Sequence, residues 1–269
     1  MTTTTAAGAA PSAPAAPAAR RDRTSTSATR LLGLAALAAL AVTAWMALVA
    51  SPADVNQRDA VRLMYVHVPA ATVALYLCFG TTTLASALYL FPRTRSLFWD
   101  RLAVSSAEIG VVFLALTLLT GSIWGRTTWG VWWTWDARLT TTAVLLVLYL
   151  GYLALRRVPA DPAVRARRAA IAGLAAFVDV PIVHESVEWW RTLHQPASLL
   201  EEDRLLHPTI HGSMLATLLW GFLAFTLVFA WLLVQRVRLA RLEQERDELQ
   251  LEAAIAERRA EAEPLPEPA

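Results

Sequence analysis

The chain has 269 residues, 56% of them hydrophobic, with a mean hydropathy of +0.42 and a formal net charge of +2, a balance typical of multi-span membrane proteins and high for soluble ones. All 24 basic residues are arginine; the missing lysine excludes a Walker A loop and Schiff-base chemistry, so in an energised process another subunit must hydrolyse the nucleotide. The single cysteine, Cys78, excludes an internal disulfide, a CxxC redox pair and a CxxCH haem attachment site.

Residues 1–29 are Ala, Pro, Thr and Ser with a few arginines, a composition that cannot bury a core and predicts a disordered leader. The apolar run from Leu31 is too long for the h-region of a signal peptide and has no clear cleavage site. Six apolar segments follow, at 31–50, 64–90, 103–124, 139–155, 169–187 and 208–234. Each is near the ~20 residues that a helix needs to cross the hydrocarbon core. Helices satisfy their own backbone polar groups, as lipid requires. The expected fold is therefore all-α, a polytopic membrane protein whose residues 30–235 form a six-transmembrane-helix bundle. The fourth segment is short, and the fifth carries Asp179 and Pro181. Cys78, inside an apolar run, reads as a small core residue. Residues 236–269 form a charged tail with helical composition. Leu242 and Leu249 stand one heptad apart there, but the pattern does not last three heptads. A solvated helix and a helix packed on a partner both fit it; the final EPLPEPA reads as disordered.

Arginine placement sets the orientation. With the N-terminus inside, the cytoplasmic segments hold Arg20, Arg21, Arg23, Arg30, Arg93, Arg95, Arg101, Arg156, Arg157, Arg165, Arg167, Arg168, Arg236, Arg238 and Arg241. The external ones hold only Arg58, Arg62, Arg126, Arg138, Arg191 and Arg204. This positive-inside bias places both termini in the cytoplasm and the loop between the third and fourth spans outside.

In that topology His67, His184, His194, His207 and His211 all lie on the external side. So do Trp189, Trp190 and five tryptophans between Trp124 and Trp135. His207 and His211 are four residues apart and could form a metal pair, but no third ligand is evident and Pro208 suggests a helix start. The stretch His184-Glu185-Ser186-Val187-Glu188 is not HExxH. Haem suits the whole set. Its iron takes imidazole ligands, its face favours aromatic surroundings, and its propionates match the planar fork of arginine, with Arg126 and Arg138 as candidates. If 129–136 is helical, Trp129, Trp132, Trp133 and Asp136 share a face. An interfacial aromatic belt is the plainer reading of the same tryptophans, although five within 12 residues is dense for one.

The stretch TGSIWGRTTWGVWWTWDARLT, Thr120 to Thr140, resembles the tryptophan-rich WWD signature of haem-handling proteins of cytochrome c biogenesis. MYVHVPAA, Met64 to Ala71, and PIVHESVEWWRTLHQPAS, Pro181 to Ser198, resemble the flanking segments of one such family, CcmC or heme exporter protein C. The resemblance runs over roughly residues 60–234, with the three motifs in the expected order. It implies haem b held non-covalently at the outer face of the bacterial cytoplasmic (inner) membrane. The matching axial ligands are His67 and His194, with the loop of Trp124, Trp129, Trp132, Trp133, Trp135 and Asp136 as platform. It also implies delivery of the haem to the chaperone CcmE, a small partner CcmD, and an ABC transporter formed by CcmA and CcmB. The leader and tail lie outside the family core, and Asp136 could cap a helix, orient an arginine or meet the chaperone.

The resulting expectation is a holding-and-handover module rather than an enzyme. A haem transporter would need polar groups along a mid-membrane path, for which only Glu108 and Asp179 offer themselves. A haem lyase acting on apocytochrome c shares the WWD signature, but such relatives are longer and carry further spans and another histidine pair.

Overall fold

The computed structural model describes residues 26–196 and 210–262. The expected leader up to residue 25, the final EPLPEPA and His207 lie outside the described residues. Six helical stretches within them are long and apolar enough to cross a membrane, and no named strand occurs among them. The protein is an all-α polytopic membrane protein.

Helix α1 spans Ser27–Trp45 and ends in a π turn, Met46–Ala50. A reciprocal capping box between Thr26 and Thr29 starts it. Its buried positions are small: Thr29, Gly33, Ala36, Ala39 and Thr43. Leu31, Leu34 and Leu37 face outward instead. This reverses the soluble pattern and suits lipid, where small residues let helices approach and large apolar ones meet acyl chains. The second span opens with a 3₁₀ turn, Asp59–Leu63, and continues as α2, Met64–Thr72, a π turn, Val73–Cys78, and α3, Phe79–Leu90. Pro69 sits inside α2 and lacks the amide that a regular helix requires; the π turn follows within one turn of it.

Helix α4, Leu97–Thr128, is capped by Ser96, and α5, Ala137–Leu155, by Asp136. The fifth span is two helices, α6, Pro162–Phe177, and α7, Asp179–Trp189, which meet at Val178. Pro181 cannot donate to the carbonyl of Phe177, which accounts for the break. Asp161 caps α6 with Pro162 in its first turn. The last helix, α8, runs unbroken from Gly212 to Ala262, so residues 236–262 prolong the sixth span.

Helix α1 packs on α8, α3 on α4 and α6, α5 on α4, α6 and α7, and α2 on α4 and α8. Cys78, Phe79, Leu114, Leu145 and Tyr149 form the centre of the core, with Phe79 and Tyr149 stacked at 3.6 Å between ring centres. Cys78 is buried and unpaired, as expected of a core residue. One end of the bundle is tied by ion pairs. Arg156 grips Asp100 with both nitrogens at 2.6 and 2.7 Å, and Arg236 grips Glu108 at 2.5 and 3.1 Å. The tryptophan-rich loop lies at the other end.

Candidate functional site

At the tryptophan end a cavity of about 200 Å³ opens between α2, α4, α5, α7, α8 and two loops, 129–136 and 190–196. Its floor includes Leu75, Leu114, Leu218 and Phe222. His67, His184, His194, Trp124, Trp129, Trp133 and Arg138 line the remainder. Residues more than 100 positions apart in the chain thus share one apolar chamber.

His67 projects from the first turns of α2. Its Nδ1 lies 3.0 Å from the Thr117 carbonyl and 3.2 Å from the Thr120 hydroxyl, both on α4. A carbonyl can only accept, so Nδ1 carries the proton and Nε2 keeps its lone pair. The ring fits because α4 has a glycine there: a Cβ on Gly121 would stand 2.8 Å from His67 Cε1. His194 repeats the arrangement from the loop after α7. Its Nδ1 donates to the Gln195 carbonyl at 2.7 Å, which again leaves Nε2 free to bind. Burial pushes the His194 imidazole below its ordinary pKa and nearby Arg138 adds to the effect, so the ring is neutral at pH 7. The two imidazole centres are 6.3 Å apart with planes inclined at 36°.

The loop 129–136 is not helical, so the face shared by Trp129, Trp132, Trp133 and Asp136 does not form. Gly130 has a φ of +79°, a left-handed turn at the end of α4 that glycine adopts freely, and the chain then runs irregularly, with a bend at Trp132, into α5. Without helical or strand periodicity, the loop sends its tryptophans to different sides. Trp129 and Trp133 line the cavity with Trp124, whereas Trp132 and Trp135 are 60% and 80% exposed. Trp129 meets His194 edge-on at 6.4 Å and Trp124 meets His67 at 5.7 Å. Trp124 is anchored by its Nε1 donating to Gln57 at 2.7 Å. The Nε1 of Trp133 is buried without a hydrogen-bond partner among the described residues.

Asp136 stands behind the cavity wall and joins its two loops. One carboxylate oxygen caps α5 by accepting from the Leu139 amide at 2.9 Å, and the other accepts from the Leu193 amide at 3.1 Å, next to His194. Arg138 reaches into the cavity wall, its Nε donating to Ser186 at 2.8 Å and its Nη2 to the His184 carbonyl at 2.7 Å. Arg126 donates instead to the Gly130 carbonyl and is exposed, outside the lining. His211 is exposed at the start of α8.

Sequence reasoning missed Gly121, Thr117, Thr120, Gln57, Tyr76 and Ser186. Thr120, Gly121 and Ser186 fall inside the quoted motifs, but nothing in their residue types sets them apart, because each of the six matters only through the spatial neighbour it holds.

The sequence profile of the heme exporter protein C family matches residues 13–252. The chain is 38% identical over 198 residues to the heme exporter protein C of Haemophilus influenzae, covering 74% of this chain and 78% of that one. With its counterpart in Bradyrhizobium diazoefficiens it shares 41% over 188 residues, 70% and 69% of the two chains. With that of Escherichia coli it shares 39% over 195 residues, 70% and 73%.

Proposed function

The chain belongs to the heme exporter protein C family, and from that premise we propose that it carries haem as cargo in the haem-export step of cytochrome c biogenesis. It binds haem b non-covalently at the outer face of the cytoplasmic membrane, with both termini in the cytoplasm, and passes it to the chaperone CcmE. CcmD and the CcmA–CcmB transporter are its partners. Its role is to hold and hand over rather than to catalyse.

The observation that carries this reading is the pair of imidazoles. His67 and His194 converge in one cavity, each with Nδ1 committed to a backbone carbonyl and Nε2 left as a ligand atom. An imidazole nitrogen lies about 2 Å from a bound metal, so two rings on opposite faces of one iron have centres roughly 6 Å apart. The separation of 6.3 Å fits a single iron between them. The carbonyl partners fix ring orientation and raise ligand basicity. Trp124, Trp129 and Trp133 supply the aromatic wall for the porphyrin, and Arg138 is the propionate candidate inside the cavity. Trp132, Trp135 and Arg126 are exposed outside the lining, where they can meet a chaperone. Two side-chain ligands and no covalent bond keep the cargo releasable.

Purified His67→Ala and His194→Ala variants test the assignment. Each is expected to lose bound haem or to shift its Soret band. Wild-type haem content and an unchanged band in both would overturn it.

A further inference from the structure

The cavity wall holds a Tyr–His pair that the iron-binding arrangement does not use. Tyr76, on the π turn after α2, lies 2.5 Å through its hydroxyl from His184 Nδ1 on α7. The rings meet edge-on at 5.9 Å, and both residues line the cavity. The same stretch of α7 holds Arg138, through the His184 carbonyl and the Ser186 hydroxyl. Resting on the haem reading above, we propose that Tyr76, His184 and Arg138 form a carboxylate-binding subsite in this wall, which takes an acidic side group of the porphyrin cargo.

Proton counting supports it. A phenol and a neutral imidazole carry two acidic protons, and the bond between them uses one. If His184 donates from Nδ1, the phenol proton is free. If Tyr76 donates, the proton on Nε2 is free. In either tautomer the pair keeps one donor for a ligand. Beside it stands a guanidinium whose Nε and Nη2 are occupied by the protein, which fixes the direction of the remaining edge. A fixed cation and a neutral donor on one apolar wall suit an acceptor with two oxygens and a negative charge, and charge-assisted bonds of this type are the strong ones. Three carboxylates lie near Arg138: Asp136, Glu185 and Glu188. Asp136 is held by the Leu139 and Leu193 amides, and Glu185, 4.0 Å from His184 Nε2, is 42% exposed and can turn to water. The π turn Val73–Cys78 that follows Pro69 carries Tyr76 in its middle, and such turns are frequent at functional sites.

The test uses metal-free protoporphyrin IX and its dimethyl ester, so that iron ligation plays no part. Each is titrated into the full chain in one detergent, with quenching of tryptophan fluorescence as readout. Partitioning into detergent is the same for every variant, so the informative quantity is the change in the acid-to-ester affinity ratio. Tyr76→Phe combined with His184→Leu is expected to lower that ratio roughly tenfold, the loss of one hydrogen bond to a charged group. Tyr76→Phe alone, which keeps the ring and so the fold, should lower it by a smaller but measurable factor. A wild-type ratio in either variant overturns the subsite and leaves the haem reading intact. Failure of the wild-type chain to bind either porphyrin also overturns the subsite, since the wall then holds nothing without iron, while the haem reading stands or falls on the His67 and His194 variants.

Discussion

The close approach of His67 to α4 rests on one missing methyl group. A Cβ at Gly121 would stand 2.8 Å from Cε1 and 3.3 Å from Nδ1 of the imidazole, too near for the ring to keep its bond to the Thr117 carbonyl. Two effects of Gly121→Ala oppose each other. Alanine favours a helix interior by roughly 0.5–1 kcal/mol over glycine, whereas losing an outer partner of a metal-bound histidine costs about 10–100-fold in affinity. The variant should therefore melt no lower than wild type yet retain at least about tenfold less haem. Gly80→Ala is the control, since nothing lies within 4 Å of its Cβ position. Haem per protein, measured by absorbance, decides; equal content in Gly121→Ala and wild type would mean that His67 does not bind iron from this position. At this scale the two histidines that meet in the cavity were legible and their supports were not. His67 and His194 stood out by residue type and motif, while Gly121 gave no sign in sequence because its role is the space it leaves. Asp136 was visible, but its job was open until the structure showed it joining the start of α5 to the segment of His194.

Between elements, the most buried ion pair among the described residues is the bidentate one of Asp100 on α4 and Arg156 just past α5. Both side chains are nearly buried, 11% and 12% exposed, so solvent screens them little. Removing one partner strands the other charge. Arg156→Ala is expected to destabilise by about 3–5 kcal/mol, while replacing both with uncharged residues of similar size costs far less. Thermal melts in detergent should show a marked drop for Arg156→Ala that is largely recovered in Asp100→Asn/Arg156→Gln. A single and a double variant melting alike would deny the pair this role. The six spans themselves followed from length and apolar content, and Pro181 foretold weakness in the fifth. Sequence periodicity failed at the loop of residues 129–136, where helical spacing of the tryptophans suggested one shared face. Gly130 ends α4 in a left-handed turn, and in the irregular chain beyond it Trp133 lines the cavity while Trp132 and Trp135 are exposed. The charged tail was legible as helix from its composition; with no glycine or proline from Gln235 to Ala262 to stop it, that helix is the direct continuation of α8.

For the molecule as a whole, the site is useful only if the tryptophan end faces the periplasm. Arginine asymmetry argues for that, and the cavity with its histidines lies at the end opposite the Asp100–Arg156 and Glu108–Arg236 pairs. The chain offers a clean way to measure it. Its one cysteine, Cys78, is fully buried in the core and is therefore silent to thiol reagents in the folded protein. Val131, in the tryptophan loop, is 41% exposed and lies outside the cavity lining, so Val131→Cys adds a single reactive thiol without touching the proposed ligands. In cells with a permeable outer barrier and an intact inner membrane, a membrane-impermeant maleimide should label Val131→Cys fully and the parent chain not at all. A cysteine at Leu249, 66% exposed on the distal part of α8, should react only after lysis. The reverse pattern would turn the cavity toward the cytoplasm, where a haem held between His67 and His194 would be on the wrong side for export.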